Sequence, residues 1–70
     1  MLLSQGAIAM KLLSKRQVKE VVLYSFAHID RLEKAGQFPK RVRLGQNRVG
    51  WVEQEVYDWL QLKLDARNIR

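Results

Sequence analysis

Lys40, Arg41, Arg43 and Arg48 lie within residues 37–52, a stretch that holds no acidic residue. Basic side chains strung along a short segment suit one chemistry in particular, the neutralisation of phosphate oxygens on a polyanion. Arginine also enters narrow minor grooves, where the negative potential is strongest. The plain alternative is a solvated strand face, and the absence of acid from the stretch favours the phosphate reading. A second set surrounds Ser25, namely Phe26, Ala27, His28, Arg31 and Lys34. Arg31 and Lys34 could meet a duplex from a helix surface, and Phe26 could touch a thymine methyl or wedge against a base step. Phe26 could equally pack on a second subunit or fold under the neighbouring hairpin, and the charges could be surface groups of little energetic consequence.

Other chemistries find less support. There are no cysteines and one histidine, which removes disulfides and leaves a zinc site of the usual kind without its donors. Glu53, Glu55 and Asp58 are close enough in sequence to suggest a metal, yet acids at a helix start are explained by the macrodipole alone. His28 has no accompanying nucleophile system. It reads as a satisfied residue at the edge of a core, or as a base contact from a helix N-terminus. Trp51 and Trp59 each occupy an apolar position of their element and read as core rather than as a stacking platform. With no nucleophile–base pair, phosphate loop or metal cluster visible, the expectation is a protein without catalysis, metal or cofactor.

Seventy residues allow one compact domain, and a chain of that size buries only roughly 60% of the surface exposed when unfolded. The net charge is +6 and the pI near 10.2, which suits DNA, RNA or an anionic membrane surface. The excess is uneven. Residues 1–36 carry six basic and three acidic groups, and residues 53–70 carry three and four. Residues 1–10 are apolar but lack a basic start and are interrupted by Ser4, Gln5 and Gly6. They are too short for a signal peptide or a membrane span and read as a loose leader. A cytoplasmic, nucleoid-associated location follows by default.

The positioning elements can be read in order. Ser14 and Gln17 form a Ser-x-x-Gln capping box, with Leu13 and Val18 as a hydrophobic staple. A short helix over 15–22 follows, burying Val18, Val21 and Val22. Leu23 and Tyr24 make a tight connection, and Ser25 caps a second helix that runs to Ala35 and stops at Gly36. Ile29, Leu32, Ala35 and marginally His28 share its core face, with Phe26, Ala27, Asp30, Arg31 and Lys34 opposite. Two short capped helices joined by a tight turn describe a helix-turn-helix. Phe38-Pro39 then starts an extended segment with period two. Val42, Leu44, Val49 and Trp51 should face inward while Arg41, Arg43 and Arg48 face outward, around a turn at Gly45-Gln46-Asn47. A last helix should span Glu53 to Ala66, with Val56, Trp59, Leu60 and Leu64 at helical spacing. Val52 is a poor cap, so the start of that helix is open, and residues 68–70 should fray.

The string as a whole resembles the AlpA family of prophage-type transcriptional regulators. The resemblance spans residues 12–62. It rests on Leu12-Leu13-Ser14 before Val18, Ser25-x-x-x-Ile29-x-Arg31-Leu32, Gly36-Gln37-Phe38-Pro39-Lys40-Arg41-Val42, Gly45, Arg48-Val49-Gly50-Trp51 and Glu55-Val56-x-x-Trp59-Leu60. Three positions depart from the pattern. Phe26 stands where such proteins usually have Arg, Asp30 where an aromatic is frequent, and Leu23 at a frequent turn glycine. The resemblance implies a winged-helix fold related to MerR-type domains and small phage excisionases. It also implies site-specific DNA binding, with a role in transcription or in excision.

The expected fold is therefore mainly α with a small β-hairpin, a winged helix-turn-helix over residues 11–67. The expected partner is double-stranded DNA, met by the recognition helix 25–35 through Ser25, Phe26, Ala27, His28, Arg31 and Lys34. The basic wing 40–51 would add Lys40, Arg41, Arg43, Gln46, Asn47 and Arg48. A homodimer or cooperative multimer on DNA, and a contact with a recombinase or RNA polymerase, are further candidate partners; no membrane partner is expected. The other readings are an excisionase-like factor that bends DNA and a protein-interaction adaptor docking through Phe26 and the apolar leader.

Overall fold

The computed structural model describes residues 10–67, so the expected leader over 1–10, apart from the exposed Met10, and the expected fraying of 68–70 lie outside the described residues. Six elements follow one another: β1 (Leu12–Leu13), α1 (Lys15–Val22), α2 (Phe26–Lys34), β2 (Val42–Gly45), β3 (Arg48–Val52) and α3 (Glu53–Arg67). The three strands form an antiparallel sheet in the order β1-β3-β2. Strand β1 is an addition to the expected hairpin. Leu12 lies opposite Val52 and Leu13 opposite Trp51, so the residues leading into the first helix also pin the sheet to it. None of the described helices is long and apolar enough to cross a membrane.

The helix starts follow the capping chemistry. Gln17 N–H donates to Ser14 Oγ at 3.2 Å while Ser14 N–H donates to Gln17 Oε1 at 2.8 Å, satisfying two otherwise orphan donors reciprocally. Ser25 Oγ accepts from His28 N–H at 3.2 Å and caps α2. That helix ends one residue before expectation, with Ala35 as its cap at φ −85°. Ala35 is therefore exposed rather than on the core face. Gly36 takes φ 75°, the left-handed conformation that lets the chain leave the helix. Helix α3 solves its missing cap differently, because Glu53 N–H donates to Lys11 O at 2.8 Å. The partner comes from the segment leading into β1, which is why no local signal marks the start.

Leu23 ends α1 at φ 62° with its side chain 84% exposed. A left-handed L-residue costs roughly 1–2 kcal/mol, while glycine adds roughly 0.5–1 kcal/mol of unfolded-state entropy. Leu23→Gly is therefore expected to raise stability by about 0.5–1 kcal/mol and the melting temperature by several degrees. A thermal melt of the variant checks this, and an unchanged or lower midpoint would show that Leu23 is unstrained.

The core comprises Leu13, Val18, Val22, Ile29, Phe38, Trp51 and Val56, with Val21, Tyr24, Phe26, Leu32, Val49, Trp59 and Leu60 packed around it. Leu64 does not join them and is 43% exposed, because every residue of α3 from Gln61 to Arg67 is exposed and no described element lies beneath that half of the helix. The hairpin brings a larger correction. Val42 and Leu44 do not face the core with Val49 and Trp51, since Val42 lies opposite Gly50 and Arg43 opposite Val49. Cross-strand partners project from the same face, so Arg43 shares the helix-facing side with Val49, while Val42 and Leu44 lie on the other side, 37% and 48% exposed. The cause is a register shift between Arg43 and Gly45. Continued without a shift from the Gly45–Arg48 pair, the ladder would set Leu44 against Val49 and Val42 against Trp51, as the alternation suggests. One extra residue in β2 reverses every side chain beyond it.

Candidate nucleic-acid interface

The reversal brings Arg43 to the helix-facing side of the sheet, and Arg48 reaches the same place from the turn end of β3. Lys15 at the start of α1, Phe26 at the start of α2, and Arg41, Arg43, Asn47, Arg48 and Val49 of the hairpin line one open hollow of about 330 Å³. None of its lining residues is acidic. The turn at Gln46-Asn47, which leads into Arg48, closes with Asn47 at φ 62°, a conformation that Asn tolerates better than other side-chain-bearing residues. Gln46 sits in the same turn, exposed. Gly50 lets the sheet close, because a Cβ there would meet Leu13 O and Leu44 Cδ1, each at 3.3 Å.

The cations divide into two groups. Among the described residues the ion pairs use only Lys34 and Arg41 as cations, which leaves Lys15, Arg31, Lys40, Arg43 and Arg48 without a carboxylate partner. Lys40 is exposed on the wall beside Pro39 and Val42, away from the hollow. Arg41 departs from the expected outward contact. Its Nε donates to Glu33 Oε1 at 2.6 Å, its Nη2 to Asp30 Oδ1 at 2.8 Å, and its backbone N–H to Glu33 Oε2. The guanidinium also lies 5.1 Å from the Phe26 ring centroid and 5.3 Å from that of Trp51. Arg41 is thus held inside the domain by α2, and the Glu33 hydrogen bond, the largest influence on it, raises its pKa above the ordinary arginine value.

On α2 the expected residues are partly brought together. Phe26 is half-buried, edge-on to Trp51 at 6.3 Å, with Lys15 Nζ 4.5 Å from its centroid. Of its alternatives, packing under the wing is the one observed. His28 lies edge-on to Tyr24 at 4.4 Å, and its Nδ1 is 3.2 Å from Arg31 Nη2, so it sits at the core edge and steadies Arg31. Ser25 and Ala27, on either side of Phe26 in the chain, are exposed and do not line the hollow. Lys34 pairs with Asp30 at 3.2 Å one helical turn away. That hydrogen bond, followed by Coulombic attraction from Lys34 and Arg41, holds the Asp30 carboxyl below its usual pKa of 3.8. A depressed carboxylate contributes stability above its unfolded pKa and loses it as pH falls through the folded value. This link therefore persists across neutral pH and weakens only in acid.

Two residues of this arrangement were not marked in the sequence. Lys15 has a recognisable signal, a cation in the first helical turn where the macrodipole disfavours one. Both Lys15 and Arg16 occupy such positions, and the first turn of α1 contains no acid. Glu33 carries no signal, since its partner lies eight residues away across a helix end. Among the described residues no group of three or more His, Cys, Asp or Glu side chains could hold a metal ion.

A helix-turn-helix whose second helix starts beside a cation-lined hairpin, with a third helix closing the core, defines a winged helix-turn-helix protein. The family model described as prophage CP4-57 regulatory protein (AlpA) matches residues 11–64. The chain belongs to that family, a group of prophage-type DNA-binding regulators. No curated protein matches it significantly.

Proposed function

We propose that the chain binds specific sites on double-stranded DNA and regulates transcription there, with α2 in the major groove and the hairpin on the adjacent backbone or minor groove. The observation that carries this reading is the hollow in which the starts of α1 and α2 and the wing converge, with Lys15, Arg43 and Arg48 unpaired and no acid in its lining. On this reading Ser25, Ala27, His28 and Arg31 approach base edges. Lys15, Arg43, Arg48, Gln46, Asn47 and, from its flank, Lys40 approach phosphates. Phe26 and Arg41 shape the floor, and Lys34 adds long-range attraction. A single module of this size covers little DNA, so binding as a dimer or a cooperative array supplies the useful affinity. The protein works in the cytoplasm, at the nucleoid, with RNA polymerase as the partner of a bound regulator.

If about four phosphates are neutralised, log K falls against log[salt] with a slope of about −3.6. Fluorescence anisotropy on a labelled duplex between low and physiological salt reads this directly. A flat profile would remove the phosphate contacts from the reading.

One observation favours a second reading. The unpaired cations of the hollow come from α1 and the wing, whereas α2 contributes only Arg31 as an unpaired cation. A protein weighted toward backbone contacts suits an architectural role, bending DNA to assist a recombinase as excisionases do. Gel mobility of a duplex with the bound site permuted from end to centre separates the two: position-dependent mobility supports bending, uniform mobility supports regulation without it.

A further inference from the structure

Glu33 is the most deeply buried charged group of the recognition helix, with its side chain 10% exposed. A carboxylate on a helix that approaches phosphates is unfavourable unless a cation faces it, and Arg41 supplies that cation. Both Glu33 oxygens are used, one by the Arg41 backbone N–H and one by its Nε at 2.6 Å. The backbone donor is the significant one. Arg41 directly precedes Val42, where β2 begins, so the last turn of α2 grips the main chain at the root of the wing. Asp30 extends the grip through Arg41 Nη2 at 2.8 Å, and the Phe26 and Trp51 rings close the other side of the guanidinium.

We propose that Glu33 is a positioning residue that sets the angle between the wing and the recognition helix, and thereby governs discrimination between DNA sites without touching DNA. This rests on the DNA-binding reading given above. The lever is short but sensitive. Four strand residues place the turn roughly 13 Å beyond the clamp, so a swing of about 20° at the root moves the tip by about 5 Å. That is enough to take Arg43 and Arg48 out of register with α2 on one duplex. Non-specific binding tolerates such a loss, because any phosphate serves, whereas a specific site needs both elements engaged at once.

The test compares the wild-type protein with Glu33→Gln and Arg41→Lys, using a duplex selected from a random pool and a scrambled duplex of equal length. Thermal melts establish that each variant is folded, and either variant suffices if the other is not. Residual dipolar couplings of the hairpin amides relative to those of α2, measured on the free protein, report the angle itself. The expected result is a reorientation of the hairpin, about a tenfold loss on the selected duplex, and unchanged or slightly tighter binding to the scrambled one. Equal losses on both duplexes with a shallower salt slope for Arg41→Lys would make Arg41 a phosphate contact and overturn the proposal. So would unchanged couplings in a folded Glu33→Gln protein. Reoriented couplings in a protein whose wild type binds no duplex at low salt would instead overturn the DNA-binding reading and leave the clamp in place.

Discussion

Replacing Arg43 and Arg48 together by alanine is expected to weaken binding to every duplex by about 100-fold at low salt. Each side chain is exposed and free of carboxylates, so neither substitution removes a structural contact and the fold should melt as before. A charge-assisted hydrogen bond to phosphate contributes about 1.4 kcal/mol or more, and two such losses multiply to about two orders of magnitude. The salt slope should become shallower by about 1.8, the signature of two phosphates no longer neutralised. Arg31→Ala should behave differently, costing about tenfold on a selected site and little on a scrambled one, because the expected contact is to a base edge. Anisotropy titrations of both variants on both duplexes measure these four numbers. A double variant that binds as tightly as the wild type would show that the hollow is not the phosphate site.

Trp51→Ala is expected to remove about 3–5 kcal/mol of stability and to lower the melting temperature by more than about 12 °C. Trp51 is fully buried, its Nε1 donates to Pro39 O at 3.2 Å, and its ring supports Phe26 and Arg41. Truncation of a buried aromatic of this size costs about 3–5 kcal/mol, against a total of roughly 3–10 kcal/mol for a domain this small. The orphaned Pro39 carbonyl adds to the loss. Trp51→Phe retains most of the volume and loses the hydrogen bond, at a cost of about 1–2 kcal/mol. Far-ultraviolet circular dichroism melts distinguish the two, and an alanine variant melting within about 5 °C of the wild type would contradict this account of the core.

The same indole explains why separated motifs belong together. Trp51 and Trp59 donate to the carbonyls of Pro39 and Gln37, at 3.2 and 2.9 Å, and Phe38 stacks edge-on against Trp59 at 4.9 Å. The Gln37-Phe38-Pro39 segment is therefore stapled to β3 and α3 by the two tryptophans that follow it in sequence. Both were legible as core residues from their apolar positions. Their hydrogen-bond partners were not, because a carbonyl has no sequence signature.

What the sequence determines by itself is local. Ser14 with Gln17, Ser25 and Gly36 set the helix ends through interactions spanning a few residues, and the charge count set the acid-free stretch at 37–52. The apolar spacing set Val18, Val22, Ile29, Trp51 and Val56 as core. These features need no knowledge of distant neighbours, since each energy term closes within one turn or one strand. Tertiary structure alone decides the rest. The shift between Arg43 and Gly45 chooses which side of the sheet Arg43 joins, because period two groups the residues of a strand without saying which face of the partner they meet. The Lys11 carbonyl starts α3 from outside it. Glu33 converts Arg41 from an outward cation into a clamp, and Lys15 takes a place in the hollow. In the candidate interface Arg43 lies on the helix side of the sheet and Arg48 at the turn end of β3, both without a carboxylate partner among the described residues, while Arg41 is held by α2.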